Sequence, residues 1–349
     1  MSSSVALALP LIEPLDPGQR GLDADAIREF VACSGLLTAH DPTLYGCKFA
    51  MQHIEAPGEL PVLAPHWHFG ESSRVHSALV VETDVVDFVD AFHVEMRTSH
   101  PHFSETEIAK VAQGYAIQNV GLEVANLLLL ANVLRPGALS TAEGFGFFEG
   151  ALVCRTQSFY AEEWSRALFA RDKYNWPKFT PVTIAQAWDW LRTVNCFDDG
   201  IARGRTGRAL AALSYLAPPR PESGSSMNLA WVLLGLEALY ASGNVGLREQ
   251  LVAKTELVLG PRSENKKAFG AMYDFRSRLL HGDIDLPLRY TPFDAVPYFE
   301  RHIEELGDFE GLGLAALVAT IQVMINNSLQ ELGFRYAIEA KPISHPQAG

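Results

Sequence analysis

The stretch Met272–Gly282, MYDFRSRLLHG, decides how the second half of the chain is read. With Met272 set at zero and about 100° per residue, Phe275, Leu279, Met272 and Leu280 fall on one arc of a helix, from about 300° through zero to about 80°. That arc is the face such a helix buries. Arg276 falls near 40°, inside the arc. His281 falls nearly opposite Met272 in the last turn, where the helix dipole favours a protonated imidazole. Gly282 suits the left-handed residue that follows a last helical turn. Arg276 and His281 therefore share no narrow stripe, but they can line a surface that curls around the helix end.

A guanidinium inside an apolar arc needs a carboxylate or a wet cleft, because leaving it buried and unpaired is strongly unfavourable. Glu237 is the only charge in NLAWVLLGLEALYA, Asn228–Ala241, a run apolar on every side and therefore expected to be a central buried helix. Glu237 and Arg276 are expected to meet between neighbouring helices. Two readings stand: a salt bridge with a helix-ending histidine beside it, or a catalytic pair.

Outward from this stretch the chain reads as helix throughout. GLREQLVAKTELVLGP is amphipathic and stops at Gly260–Pro261, and Ser263 is placed to cap the helix that carries Arg276. DAVPYFERHIEELG and GLGLAALVATIQVMINNSLQELG add two more helices. Connections this short imply an antiparallel bundle. Ala217–Met227, APPRPESGSSM, replaces periodic apolar residues with Pro, Gly and Ser and marks a junction. The expected organisation is α+β: a mixed α/β region over residues 1–216, a linker at 217–227 and an all-α helical domain over 228–340.

In the first region, DADAIREFVACSGLL is an amphipathic helix started by Asp23 or Asp25, and HSALVVETDVVDFV is β-branched enough to be strand in part. Ser104 with Glu107 forms a capping-box pattern for a helix that stops near Pro136–Gly137. EGFGFFEGALVCRTQ alternates Gly and aromatic residues before a strand-like ALVC, as in a sheet with close backbone packing. TIAQAWDWLRTV returns to helix.

Composition narrows the function classes. The 349 residues carry a net charge of −13, which argues against a general nucleic-acid binder. Residues 1–200 hold 13 basic and 25 acidic residues, while residues 201–349 hold 15 and 16, so a polyanion is more easily accommodated by the second half. The opening MSSSVALALPLIEPLDPG has no basic start and its prolines interrupt the apolar run, so no signal peptide is expected. Val120–Leu134, VGLEVANLLLLANVL, falls short of the roughly 20 residues that span a bilayer and is expected to be a core helix. The four cysteines lie far apart with no C-x-x-C, as in reduced thiols of a cytoplasmic protein.

MYDFRSRLLHG resembles, position by position, the core signature of the Apea-like branch of the HEPN family, and AWVLLGLEALY is similar to that family's first-helix pattern, in which a Trp precedes L-E-x-L. The resemblance covers about residues 228–335, and more loosely AWDWLRTV and GRALAALSYL before them. It implies a HEPN helical bundle that forms a homodimer and brings two R-x4–6-H motifs together across a two-fold axis. The implied activity is that of a metal-independent, cofactor-free endoribonuclease of an antiphage defence or toxin system, acting on RNA such as tRNA. The ribose 2′-OH would attack the adjacent phosphate and leave a 2′,3′-cyclic phosphate. His281 would move protons, Arg276 would stabilise charge on the phosphate and Glu237 would hold Arg276. Ser277 fits the Apea-like branch, while removing one polar group that the wider family often has there. Arg278 is a candidate for the RNA backbone. A trigger or inhibitor protein could act through the first region. The alternative is a non-catalytic HEPN module for dimerisation or ligand binding.

Two other clusters bear on function. ARGRTGR, Ala202–Arg208, is basic, and its Arg203, Arg205 and Arg208 could contact phosphates or simply solvate a helix start. Eight of eleven histidines lie between His40 and His102, including HWH at 66–68, yet no H-E-x-x-H or Cys partner stands at ligand spacing, so no metal site is assigned.

Overall fold

A computed structural model of the chain describes residues 3–13, 20–36, 48–59, 63, 65, 74–194, 201–217, 227–243, 246–262, 267–284 and 297–335. The protein is mixed α+β, with a five-stranded antiparallel sheet in the order β2-β3-β1-β4-β5. The strands are β1 (Ser4–Leu11), β2 (Phe49–Ile54), β3 (Ser77–Asp84), β4 (Gly144–Phe148) and β5 (Ala151–Thr156). The opening apolar run, weighed in the sequence as a targeting segment, is the central strand. Val5, Leu7, Leu9 and Leu11 alternate into the main core, and Ala8 faces the other side with Val80, Phe145 and Phe147. Pro10 is tolerated in β1 because β4 pairs only as far as Ala8, and the Pro10 carbonyl accepts from Ala142 N at 2.9 Å beyond that point.

β4 and β5 form a hairpin about Glu149 and Gly150, whose φ values of 49° and 79° match the two left-handed positions of a tight turn. The glycines of GFGFF allow close packing, as the alternation implied. A Cβ on Gly144 would lie 2.3 Å from the Ala8 carbonyl oxygen, and one on Gly146 would lie 2.6 Å from Ile117 Cγ2.

Ten α-helices occur among the described residues: α1 (Arg20–Ala32), α2 (Val86–Ser99), α3 (Glu105–Leu134), α4 (Arg166–Tyr174), α5 (Ile184–Val194), α6 (Gly204–Ser214), α7 (Met227–Tyr240), α8 (Leu247–Leu259), α9 (Ala268–His281) and α10 (Pro297–Asn326). α1 starts ahead of both aspartates proposed to open it. α3 opens on the expected capping box, with Ser104 N donating to Glu107 Oε2 at 2.8 Å and Glu107 N donating to Ser104 Oγ at 3.3 Å. It ends at Leu134, just before Pro136–Gly137. α9 begins at Ala268 with Lys267 at its cap position; Ser263 and most of the 217–227 junction lie outside the described residues.

Two expectations change. The Val120–Leu134 segment is the end of a 30-residue helix, so α3 and the Ile303–Asn326 part of α10 are both long and apolar enough to cross a membrane; 61% and 89% of their apolar windows are buried inside the protein. The two helices expected at the end of the chain are one, α10, because its glycines serve contact rather than interruption. A Cβ on Gly311 would stand 2.7 Å from the Arg166 carbonyl oxygen on α4, and one on Gly313 would stand 2.6 Å from Val232 Cγ1 on α7 and 2.9 Å from Met272 Sδ on α9. One buried apolar cluster runs from Val5 in the sheet to Ile325 in α10.

Glu310 is buried where α10, α4 and α7 meet. Arg166 Nη1 lies 3.2 Å from its Oε2 and Asn228 Nδ2 donates to Oε1 at 3.0 Å. Burial pushes its carboxyl up to about 7, against the opposing pull of Arg166 and Asn228. A carboxyl raised above its unfolded value contributes stability that is complete below the unfolded pKa and lost as pH rises through about 7. In urea denaturation at pH 5 and pH 8, Glu310→Gln is therefore expected to lose less stability with rising pH than the parent, by roughly 2–3 kcal/mol; equal slopes would show that Glu310 does not titrate in this range.

Along the same helix the glycines separate by contact. A Cβ at position 307 meets Arg166 Nη1 at 3.5 Å, an ordinary contact, so Gly307→Ala is expected to stabilise by up to about 1 kcal/mol through helix propensity. Gly311→Ala drives its methyl into α4 backbone and is expected to destabilise by about 1–3 kcal/mol. Thermal melts of the two variants should shift in opposite directions.

Candidate functional site

α9 is placed by its apolar arc: Met272, Phe275 and Leu279 are buried, with Phe275 against Phe309 of α10 at 5.3 Å between ring centroids. Leu280, assigned to that arc, is instead 45% exposed, so the buried face is narrower than the wheel implied. The helix is tied to α8 by Arg248, whose Nε lies 3.1 Å from Asp274 Oδ1 and donates to the Gly270 carbonyl at 3.5 Å. Gly282 ends it in the left-handed conformation, φ 80°, with its N–H donating to the Arg278 carbonyl.

Arg276 is half-buried on α9 and Glu237 half-buried on α7. The expected ion pair between them is not formed. Arg276 Nε and Glu237 Oε1 are each buried without a hydrogen-bond partner among the described residues. Their shared neighbour is Tyr273, one turn before Arg276 on the same face. Burial raises the pKa of its phenol most, the charge of Glu237 and a hydrogen bond to it raise it further, and Arg276 opposes them. The sequence reading passed over Tyr273, although its i, i+3 spacing to Arg276 was visible.

The remaining predicted residues occupy two places. Ser277 is half-buried, while Arg278 and His281 are exposed at the end of α9. Five residues separate His281 from Arg276, turning the two side chains about 140° apart and setting them about 7.5 Å apart along the axis. Arg203, Arg205 and Arg208 lie at the start of α6, away from that helix end in sequence. Arg203 is at the cap position, and the α6 N-terminus already faces a carboxylate, with Arg205 N donating to Glu331 Oε1 at 3.4 Å. Arg205 and Arg208 line an open groove of about 380 Å³ between α6 and α7, with Tyr215, Trp231, Leu234 and Glu237. Glu237 is thus the residue common to the groove and the Arg276 neighbourhood.

α7 differs from the fully buried helix expected. Its Leu229, Val232, Leu233 and Leu236 are buried, while Met227 and Leu234 are each 47% exposed. No group of three or more His, Cys, Asp or Glu among the described residues could hold a metal ion, and the HWH segment lies outside them.

No protein-family model, curated protein or solved structure matches the chain. The family resemblance therefore rests on the residues quoted for it.

With no direct ion pair to break, replacing Arg276 by an apolar side chain of similar length removes an unpaired buried donor rather than a bonded charge. Arg276→Met is expected to change stability by less than about 1 kcal/mol, where breaking a buried ion pair would lose about 3–5 kcal/mol. Chemical denaturation of the two proteins distinguishes these cases.

Proposed function

We propose that the chain is a metal-independent endoribonuclease of HEPN type, with an N-terminal α/β region followed by a C-terminal all-α HEPN bundle, and that it serves as an antiphage defence or toxin effector. The observation that carries this reading is a half-buried guanidinium whose Nε has no partner among the described residues, five residues before an exposed histidine that ends the same helix. A structural arginine would be expected to have closed its ion pair. An arginine kept for a phosphate keeps donors in reserve.

In the proposed reaction a histidine takes the proton of a ribose 2′-OH, and the 2′ oxygen attacks the adjacent phosphorus. The bond to the 5′ oxygen breaks and that oxygen leaves with a proton, giving a 2′,3′-cyclic phosphate and a 5′-OH. Arg276 holds the charge that develops on the phosphoryl oxygens, with Tyr273 and Glu237 setting its position. The resemblance implies a homodimer in which the motifs of two copies face each other, and the divergence of Arg276 and His281 by about 140° on one helix is compatible with it. Arg278 and the arginines of α6 would hold the RNA strand, and the acidic balance of the first 200 residues would restrict the enzyme to a narrow substrate such as a tRNA loop. The N-terminal region would receive a trigger or an inhibitor protein. The setting proposed is the cytoplasm, away from membranes, with no cofactor.

A second reading, a non-catalytic HEPN module for dimerisation or ligand binding, is favoured by the exposed Met227 and Leu234 on α7. The two readings part on His281. Incubated in EDTA with total cellular RNA and tRNA, the purified protein is expected to produce cyclic-phosphate ends. His281→Ala is expected to stay folded while cleavage falls by at least about 100-fold. Cleavage unchanged in the variant would reject the catalytic reading.

A further inference from the structure

Arg205, Arg208, the neighbouring Ala211 and Ala212, and Tyr215 lie three or four residues apart in succession along one face of α6 and its cap. The two alanines leave the middle of that face shallow, and together with α7 this makes the groove of about 380 Å³. At one end, Tyr215 stacks on Trp231 of α7 with ring centroids 4.4 Å apart and planes 12° apart, and Tyr215 is still 59% exposed. At the other end stand two arginines that form no ion pair with a described carboxylate; Arg208 Nε donates to the Gly204 carbonyl and Arg205 Nη2 to Ser242 Oγ at 3.3 Å. The opposite wall carries Glu237, a carboxylate that accepts hydrogen bonds and repels phosphate.

We propose that this groove is a nucleotide subsite, in which an unpaired base stacks on the free face of Tyr215 and Arg205 and Arg208 hold backbone phosphate. Stacking on an aromatic ring is the contact that every base can make, and paired guanidiniums are the complementary contact for phosphate. Glu237 orients the ligand, since its carboxylate suits an exocyclic amine of a base and turns phosphate towards α6. Arg208 and Tyr215 lie seven residues apart on one face, about 10 Å along the axis, so ring and charge span more than one nucleotide. That spacing selects a single strand rather than a mononucleotide. The RNA source of the strand rests on the ribonuclease reading above, while the stacking and phosphate contacts do not. A protein partner is less suited to the groove, because a standard interface needs about 800 Å² from each side and an apolar centre rather than unpaired arginines.

The test uses the full chain and a fluorescently labelled hexaribonucleotide with 2′-O-methyl sugars, which cannot attack the phosphate, so binding is read apart from cleavage. Tyr215→Ala is expected to weaken binding about tenfold, and Tyr215→Phe to retain it within about twofold. Arg205→Ala and Arg208→Ala are each expected to flatten the slope of log K against log salt by about 0.7. Circular dichroism on each variant separates lost contacts from lost folding. Binding that ignores both Tyr215 and the salt slope would overturn the subsite. Competition by a 5′-mononucleotide at equal affinity would assign the same chemistry to a free nucleotide and overturn the strand. A self-association that disappears with Tyr215→Ala would overturn both and make the groove an interface between copies. Tyr215-dependent binding without cleavage of natural RNA would leave the subsite standing and reject the nuclease, whereas cleavage indifferent to Tyr215 would reject only the subsite.

Discussion

The close passage of α10 against α4, α7 and α9 is the constraint on which the rest of the structure depends. Gly311 brings its backbone onto the Arg166 carbonyl, and Gly313 seats Val232 and Met272; from the other side, Gly235 of α7 makes room for Leu317, where a Cβ would lie 2.6 Å from Leu317 Cδ2. Glycine weakens an isolated helix, so three tight glycine contacts in two long helices show that packing rather than propensity decides here. Met272 is the link from this contact to chemistry. It anchors the buried side of α9 on α10, and the position of Arg276 four residues later follows from that anchor.

Around Arg276 the same packing leaves charge incompletely matched. The helices hold Glu237 and Arg276 close enough to bear on one phenol, yet two of their buried polar atoms stay without partners among the described residues. Elsewhere the protein pairs its buried cations closely. Arg262, 3% exposed, donates to Val252 O and Glu256 and lies over the Trp176 and Phe269 rings at 5.2 and 4.9 Å; Lys254, 2% exposed, donates to Tyr240 O and Gln250 at 2.7 Å each. A chain able to satisfy those groups has no general difficulty in doing so. Other buried polar atoms, such as His93 Nε2 and Thr156 Oγ1, also lack a hydrogen-bond partner among the described residues, so what sets the α9 mismatch apart is that it involves a cation and a carboxylate beside a solvent-facing helix end, where a ligand's charge would complete it.

Local signals carried much of the fold. The Ser104–Glu107 box, Gly260–Pro261, Gly282 and the glycine–aromatic alternation of GFGFF each act within a turn or a hairpin, and each marked a feature found in the structure. What was not legible depended on distant contacts. The role of Ser4–Leu11 as the central strand requires β3 and β4 on either side, and the continuity of α10 requires neighbours that only glycine admits. The helical wheel placed Arg276 inside the buried arc, where it is half-buried, but erred on Leu280, because a wheel gives direction and not the width of the surface opposite. Tyr273 was missed for a related reason: a tyrosine among apolar residues reads as core until the charges beside it are known. The groove was beyond sequence altogether, since Arg208 and Tyr215 mark one wall and the Trp231 that completes the platform comes from across a junction.

Helix α7 joins these parts. Its buried side touches Gly313 of α10, Glu237 stands beside Tyr273 and faces the groove, and Trp231 supports Tyr215. A displacement of α7 against α10 would therefore change the groove and the Arg276 environment together, with Gly235 and Gly313 setting how far it can move before backbones or side chains collide. Asn228 near the start of α7 also binds Glu310, the carboxyl shared with Arg166 of α4. Arg166 of α4 thus links a segment that follows the sheet in the chain to α7 and α10 through a buried acid whose charge is set by its surroundings, beside direct contacts such as Gln322 Nε2 of α10 donating to the Val133 carbonyl of α3 at 2.8 Å.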